Sequence, residues 1–121
     1  MTEPVDIQAL GRTIHEVLIL GALRDGPKHG YQIALDVERE TNGCFQFQHG
    51  TLYPILHRLE KEDRIEGEWD TGGGRRRKVY GLTAAGRRSL EEERGRIDGV
   101  FEALRAYLVG SRRGDDGRDR A

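Results

Sequence analysis

Between Gly50 and Val79 the chain carries side chains suited to gripping bases and phosphates rather than to breaking bonds. In the segment Gly50 to Glu62, Thr51, Tyr53, His57, Arg58 and Lys61 share one face, and Leu52, Ile55, Leu56 and Leu59 share the other. Hydroxyl, imidazole and guanidinium groups on one helical face can meet base edges and phosphate oxygens in a groove. His49, Gly50, Thr51, Tyr53 and Pro54 fall at the leading end, where such a helix meets base edges. Arg58 and Lys61 fall one and two turns later, nearer phosphate or solvent. Then follow Arg64-Ile65-Glu66-Gly67-Glu68-Trp69-Asp70, three glycines (Gly72, Gly73, Gly74) and four cations (Arg75, Arg76, Arg77, Lys78). A glycine-rich tip presents backbone N–H groups to phosphate, and an arginine at a hairpin tip can enter a minor groove. Strand alternation places Arg75 and Arg77 on one face and Arg76 and Lys78 on the other, so about half can touch one backbone at a time. Lys28, Tyr31 and Gln32 open an earlier helix and could meet phosphate at its N-terminus; Tyr31 could equally be a buried staple.

Other chemistry finds little support. His15, His29, His49 and His57 share no ligand spacing, and no nucleophile, base and acid stand in a recognisable arrangement. No catalytic residue, metal or cofactor is expected, and the chain does not read as an enzyme. The net charge of -1, from 20 Lys+Arg against 21 Asp+Glu, makes any attraction for a polyanion local to the basic hairpin. The single cysteine, Cys44, permits no internal disulfide and is expected as a small apolar filler. The sole tryptophan, Trp69, is expected in the core. The first residues lack a basic, apolar leader, and the longest apolar run, Val17 to Leu20, is too short to span a bilayer. Cytoplasmic residence away from membranes is therefore expected.

Positioning these groups requires a folded body, and the composition supports one. Hydrophobic residues are 36%, and adding the 17 glycines brings the figure to about half, near the globular norm. Residues Met1 to Val5 should be loose. Asp6 can cap a first helix whose stripe is Ile7, Leu10, Ile14, Val17 and Gly21, with Leu18, Ile19, Leu20 and Leu23 forming a second apolar face. A helix apolar on two sides is gripped from two sides, one of which could be a second subunit. Asp25-Gly26-Pro27 breaks the chain. A second helix is predicted from Lys28–Gly30 to about Thr41, with Asn42-Gly43 as a turn. An extended connector then anchors Phe45 or Phe47, and the third helix spans about His49 to Glu62 with Pro54 in its first turns. Two strands follow, joined by Thr71 to Gly74, with Val79 and Leu82 inward and Tyr80 at the base. Thr83 caps a last helix to about Val109, whose seam is Leu90, Ile97, Phe101, Leu104 and Leu108. Residues 111–121 read as a disordered tail. The order predicts a mainly α fold with a small antiparallel β-hairpin: a winged helix-turn-helix over residues 6–82 and a C-terminal dimerisation helix over 83–110.

The runs Val17 to Ile33, with His29-Gly30-Tyr31, Gly50-Thr51-Leu52-Tyr53-Pro54 within Gly50 to Glu62, and Arg64 to Leu90, with Gly-Gly-Arg-Arg-Arg-Lys-Val-Tyr and Leu-Thr-Ala-Ala-Gly, resemble the PadR family of transcriptional regulators. The resemblance covers about residues 13 to 92. It implies a homodimer that binds a pseudo-palindromic DNA operator, usually as a repressor, in the smaller subfamily whose first and last helices build the dimer. Ile7, Leu10, Ile14 and the C-terminal seam would then lie at the dimer interface. A seam between those helices could open a cavity at the dimer axis for a small-molecule effector, which nothing in the residues identifies. Some relatives bind flat aromatic drugs through a C-terminal Trp; this helix offers only Phe101 and Tyr107, so drug binding is not carried over. Gln48-His49 stands where the family is often serine-rich, which leaves the capping of the third helix open. The alternative is a winged-helix protein-interaction module that does not bind DNA. Its supporting feature is the acid cluster Glu60, Glu62, Asp63, Glu66, Glu68 and Asp70 beside the basic hairpin.

Overall fold

A computed structural model describes residues 4–110; the tail predicted over 111–121 and most of the looseness predicted at the N-terminus lie outside the described residues. The elements run α1 (Ile7–Ala22), β1 (Lys28–His29), α2 (Gly30–Glu40), α3 (His49–Lys61), β2 (Ile65–Asp70), a 3-10 turn (Gly72–Gly74), β3 (Arg77–Leu82) and α4 (Ala84–Val109). The caps follow from residue chemistry. Asp6 accepts from the Gln8 and Ala9 amides at the start of α1, and Thr83 accepts from the Gly86 amide at the start of α4. Gln48 precedes α3 with no side-chain cap, and its carbonyl accepts from the Thr51 and Leu52 amides at 2.9 Å.

The three helices of the body share one core. Ile19, Leu20 and Leu23 of the first segment meet Ile33 and Val37 of α2 and Leu52, Ile55, Leu56 and Leu59 of α3. Truncating Leu56 or Leu59 to Ala would cost about 2–5 kcal/mol, because both side chains are fully enclosed. Phe47 is the residue that anchors the connector, packing against this core and against the His15 ring at 5.5 Å, whereas Phe45 and Cys44 are exposed. Cys44 is thus not the apolar filler expected, since its connector lies on the surface.

The sheet departs from a plain hairpin. β3 pairs antiparallel with β2, Ile65 opposite Leu82 and Asp70 opposite Arg77, and on its other edge with β1, Lys28 opposite Tyr80 and His29 opposite Val79. Lys28 and His29, expected at the start of the second helix, emerge extended from the Gly26-Pro27 break. They satisfy their backbone groups on the free edge of β3. Tyr80, at 3% exposure, is the inward residue of β3, with Leu82 on its side packed against the core; Val79 points the other way. The period of two requires this, since positions 80 and 82 share a face.

Where α4 leaves the sheet it presses on the chain end of α3. The Thr83 hydroxyl donates to the Asp63 carbonyl at 2.7 Å. Gly86 lies so close to the Arg64 carbonyl that a Cβ there would sit 1.9 Å from its oxygen. α4 then runs beside α1, where Arg96 donates to the buried Thr13 hydroxyl at 3.1 Å. Leu90, expected at a subunit interface, is 6% exposed and belongs to the chain's own core. Farther along, Phe101, Leu104, Tyr107, Leu108 and Val109 are exposed, Leu108 at 71%.

Candidate nucleic-acid interface

The side chains that the sequence assigns to DNA divide sharply once they are placed. The side chains of Arg75, Arg76 and Arg77 are exposed, and none of the ion pairs or side-chain hydrogen bonds among the described residues engages them. Gly73 and Gly74 just before them adopt φ of 76° and 78°, a left-handed path that favours glycine. Beside this arm the leading end of α3 offers His49, Gly50, Thr51, Tyr53 and Pro54, with His49 stacked on Tyr53 at 6.1 Å between ring centroids. His57 and Lys61 are exposed farther along the same helix.

Other side chains of that set are already engaged. Arg58, expected nearer phosphate or solvent, donates to Glu16 of α1 at 2.6 Å and so ties α3 to α1. Lys28 and Gln32 both donate to Asp36, whose side chain is 5% exposed, and Arg39 joins them at 2.7 Å. The Lys28 ammonium holds the Asp36 carboxyl below its ordinary range, against the opposing effect of burial. Lys78 donates to Glu60 of α3 at 2.9 Å, and that carboxylate raises the ammonium above its usual value. Sequence spacing assigns these cations to DNA because it displays a helical or strand face but not the acid folded against it. Tyr31 is 59% exposed and is therefore no buried staple.

Between α3, the start of α2 and the hairpin arm lies a cleft of about 370 Å³, walled by Tyr31, Tyr53, His57, Trp69, Arg76 and Arg77 among others. Gly30 permits its inner wall, since a Cβ there would stand 2.8 Å from the Tyr53 hydroxyl. His29 contributes Nε2, which has no hydrogen-bond partner and lies 3.6 Å from Asp70 Oδ2. Burial pushes the Tyr80 phenol up, so it stays neutral behind the cleft. Trp69 corrects the sequence-based expectation most clearly. It is 54% exposed, with the Arg76 guanidinium 4.2 Å above its ring. The β2–β3 ladder extends beyond the packed body, so alternation continues onto Trp69 after the core has ended at Ile65 and Gly67. The signal that could have found it is an aromatic between two acids, next to a glycine tip followed by cations.

Among the described residues no helix is long and apolar enough to cross a membrane, and no group of three or more His, Cys, Asp or Glu is placed to hold a metal ion.

Comparison with known proteins places this geometry. Residues 19–92 match the model of the transcriptional regulator PadR-like family. The chain is 36% identical over 92 residues to transcriptional regulator Rv3488 of Mycobacterium tuberculosis, covering 76% of this chain and 80% of that protein. A PadR family transcription regulator from Clostridium difficile superposes with a TM-score of 0.68 at 29% identity, over 78% of this chain and 97% of that one. Bacillus subtilis PadR, solved in complex with operator DNA, superposes with a TM-score of 0.60 at 27% identity. That match takes in 74% of this chain but only 47% of the Bacillus subtilis chain.

Proposed function

Because the chain belongs to the PadR-like family of transcriptional regulators, we propose that it binds double-stranded DNA as a homodimer and represses transcription from a pseudo-palindromic operator. The observation that carries this reading is the trio Arg75, Arg76 and Arg77, unpaired among the described residues and exposed beside the open leading end of α3. In this arrangement α3 enters the major groove with His49, Thr51 and Tyr53 toward base edges. The wing follows the adjacent backbone. The operator complex of the Bacillus subtilis relative supports the same partner for this fold.

A single short helix and one wing cover little DNA, so two copies are needed, with recognition helices about 34 Å apart, one turn of the duplex. The exposed Ile7 on α1 and the exposed Phe101, Leu104 and Leu108 on α4 support these helices as the dimer surface. Between the start of α1 and α4 lies a cavity of about 500 Å³, bordered by Val5, Leu10, Gly99, Val100 and Ala103. An effector that releases DNA would have room there. Cytoplasmic residence follows from the partner.

The test is a titration of the protein with DNA from upstream of its own gene across a range of salt. Replacing Arg75, Arg76 and Arg77 by Ala should weaken binding to all sequences and lower the salt slope by about one unit for each phosphate the wing no longer neutralises. Full affinity and slope in that variant would remove the wing from the interface. Failure of the intact protein to bind any duplex at low salt would favour a protein-interaction module instead, with the acids of β2 as its docking charge.

A further inference from the structure

We propose that Trp69 is a positioning residue for DNA binding: its ring is the platform that holds Arg76 extended and ready along the cleft between the wing and α3. The proposal rests on the DNA reading above and adds to it how one arginine of the wing is prepared.

Trp69 is the only tryptophan of the chain and lies more than half exposed on a strand that has already left the core. A large aromatic in that place costs solvent exposure and returns nothing in core packing. Two cations lie over its ring: Arg76 at 4.2 Å from its centroid and the ammonium of its cross-strand partner Lys78 at 5.7 Å. The two cations are not equivalent. Lys78 is committed to Glu60 of α3, a bond that fixes the platform relative to the recognition helix. Arg76 has no carboxylate partner among the described residues, and its backbone belongs to neither the turn nor β3.

A guanidinium held over a ring, as Arg76 is at 4.2 Å from the Trp69 centroid, still has N–H donors to offer to phosphate or minor-groove acceptors. An unstacked Arg76, two residues after a glycine with φ of 78°, would have to be ordered at the moment of binding. The stack orders it beforehand. Arg75 and Arg77 have no such platform within reach among the described residues, so the wing holds one prepared arginine and two free ones.

The experiment uses the full chain and a labelled mixed-sequence duplex at low salt, with Trp69→Ala, Trp69→Phe, Arg76→Ala and the double variant Trp69→Ala/Arg76→Ala. Trp69→Ala should weaken binding about two- to fivefold for each wing engaged, the scale of an exposed cation–π interaction. Trp69→Phe should recover part of that affinity. The double variant should bind no worse than Arg76→Ala alone, since the platform acts only through that arginine. Without DNA, the Arg76 side-chain methylene protons should show upfield ring-current shifts that vanish in Trp69→Ala while its melting temperature stays near wild type. Wild-type affinity in Trp69→Ala, or losses that add in the double variant, would overturn the proposal while leaving the DNA reading intact. No binding by the wild type would overturn both.

Discussion

Arg58 on α3 and Glu16 on α1 are joined at 2.6 Å, so α3 is held to α1 by charge as well as by the leucine core. Arg64, at the start of the wing, reaches the other Glu16 oxygen at 3.3 Å, which places one carboxylate between α3 and the hairpin. The Glu16 side chain is only 13% exposed. Replacing it with Gln should cost about 1–3 kcal/mol, because two partly buried guanidinium groups lose their charged acceptor. Arg58→Ala should lower the melting temperature yet leave the salt slope of DNA binding unchanged. A lowered slope would return Arg58 to the DNA surface.

Asp36 gives the fold an acid limit. Its carboxyl is held below the ordinary range chiefly by the bond from Lys28, so its stabilising contribution is fully present above the unfolded carboxyl range. It is lost as pH falls below about 4 and through the lower folded-state value. Melting temperature followed between neutral and acid pH should drop in the wild type. Asp36→Asn should start lower at neutral pH and lose less on acidification. Parallel curves for the two proteins would exclude Asp36 as a source of the acid limit.

Two glycines should respond oppositely to the same methyl group. At Gly86 a Cβ would meet the Arg64 carbonyl at 1.9 Å, and backbone cannot yield cheaply, so Gly86→Ala should destabilise by at least about 1–3 kcal/mol. At Gly11, inside α1 and with nothing within 4 Å, Ala should stabilise by about 0.5–1 kcal/mol through lower chain entropy. Denaturant midpoints of the two variants, with wild type between them, are the expected result.

The exposed end of α4 should control assembly. Leu104→Glu with Leu108→Glu should shift the species seen by light scattering toward the monomer and weaken binding to a two-half-site duplex, while circular dichroism stays near wild type. Charges on that face are costly only if a partner covers it. A monomeric wild type would remove the proposed dimer, and a dimeric double variant would move its surface elsewhere.

Much of this is legible along the chain because it depends on local spacing. Leu52, Ile55, Leu56 and Leu59 recur at helical intervals and all are buried. Asp6 and Thr83 cap the helices they precede. Three glycines followed by Arg75, Arg76 and Arg77 make an exposed arm. Such features are set by neighbours within a few residues, which sequence displays directly.

Pairings between distant residues are not legible in that way. The separations from Lys78 to Glu60 and from Arg58 to Glu16 are 18 and 42 residues, and no periodicity links them. Sequence therefore determined the elements, the caps, the core face of α3 and the charge of the wing. Only tertiary structure decided which cations remain free, that Lys28 and His29 complete a sheet, and that Trp69 carries Arg76 instead of packing in the core. The physical reason is that a side chain's type fixes what it can bind, whereas its availability depends on what the fold brings against it.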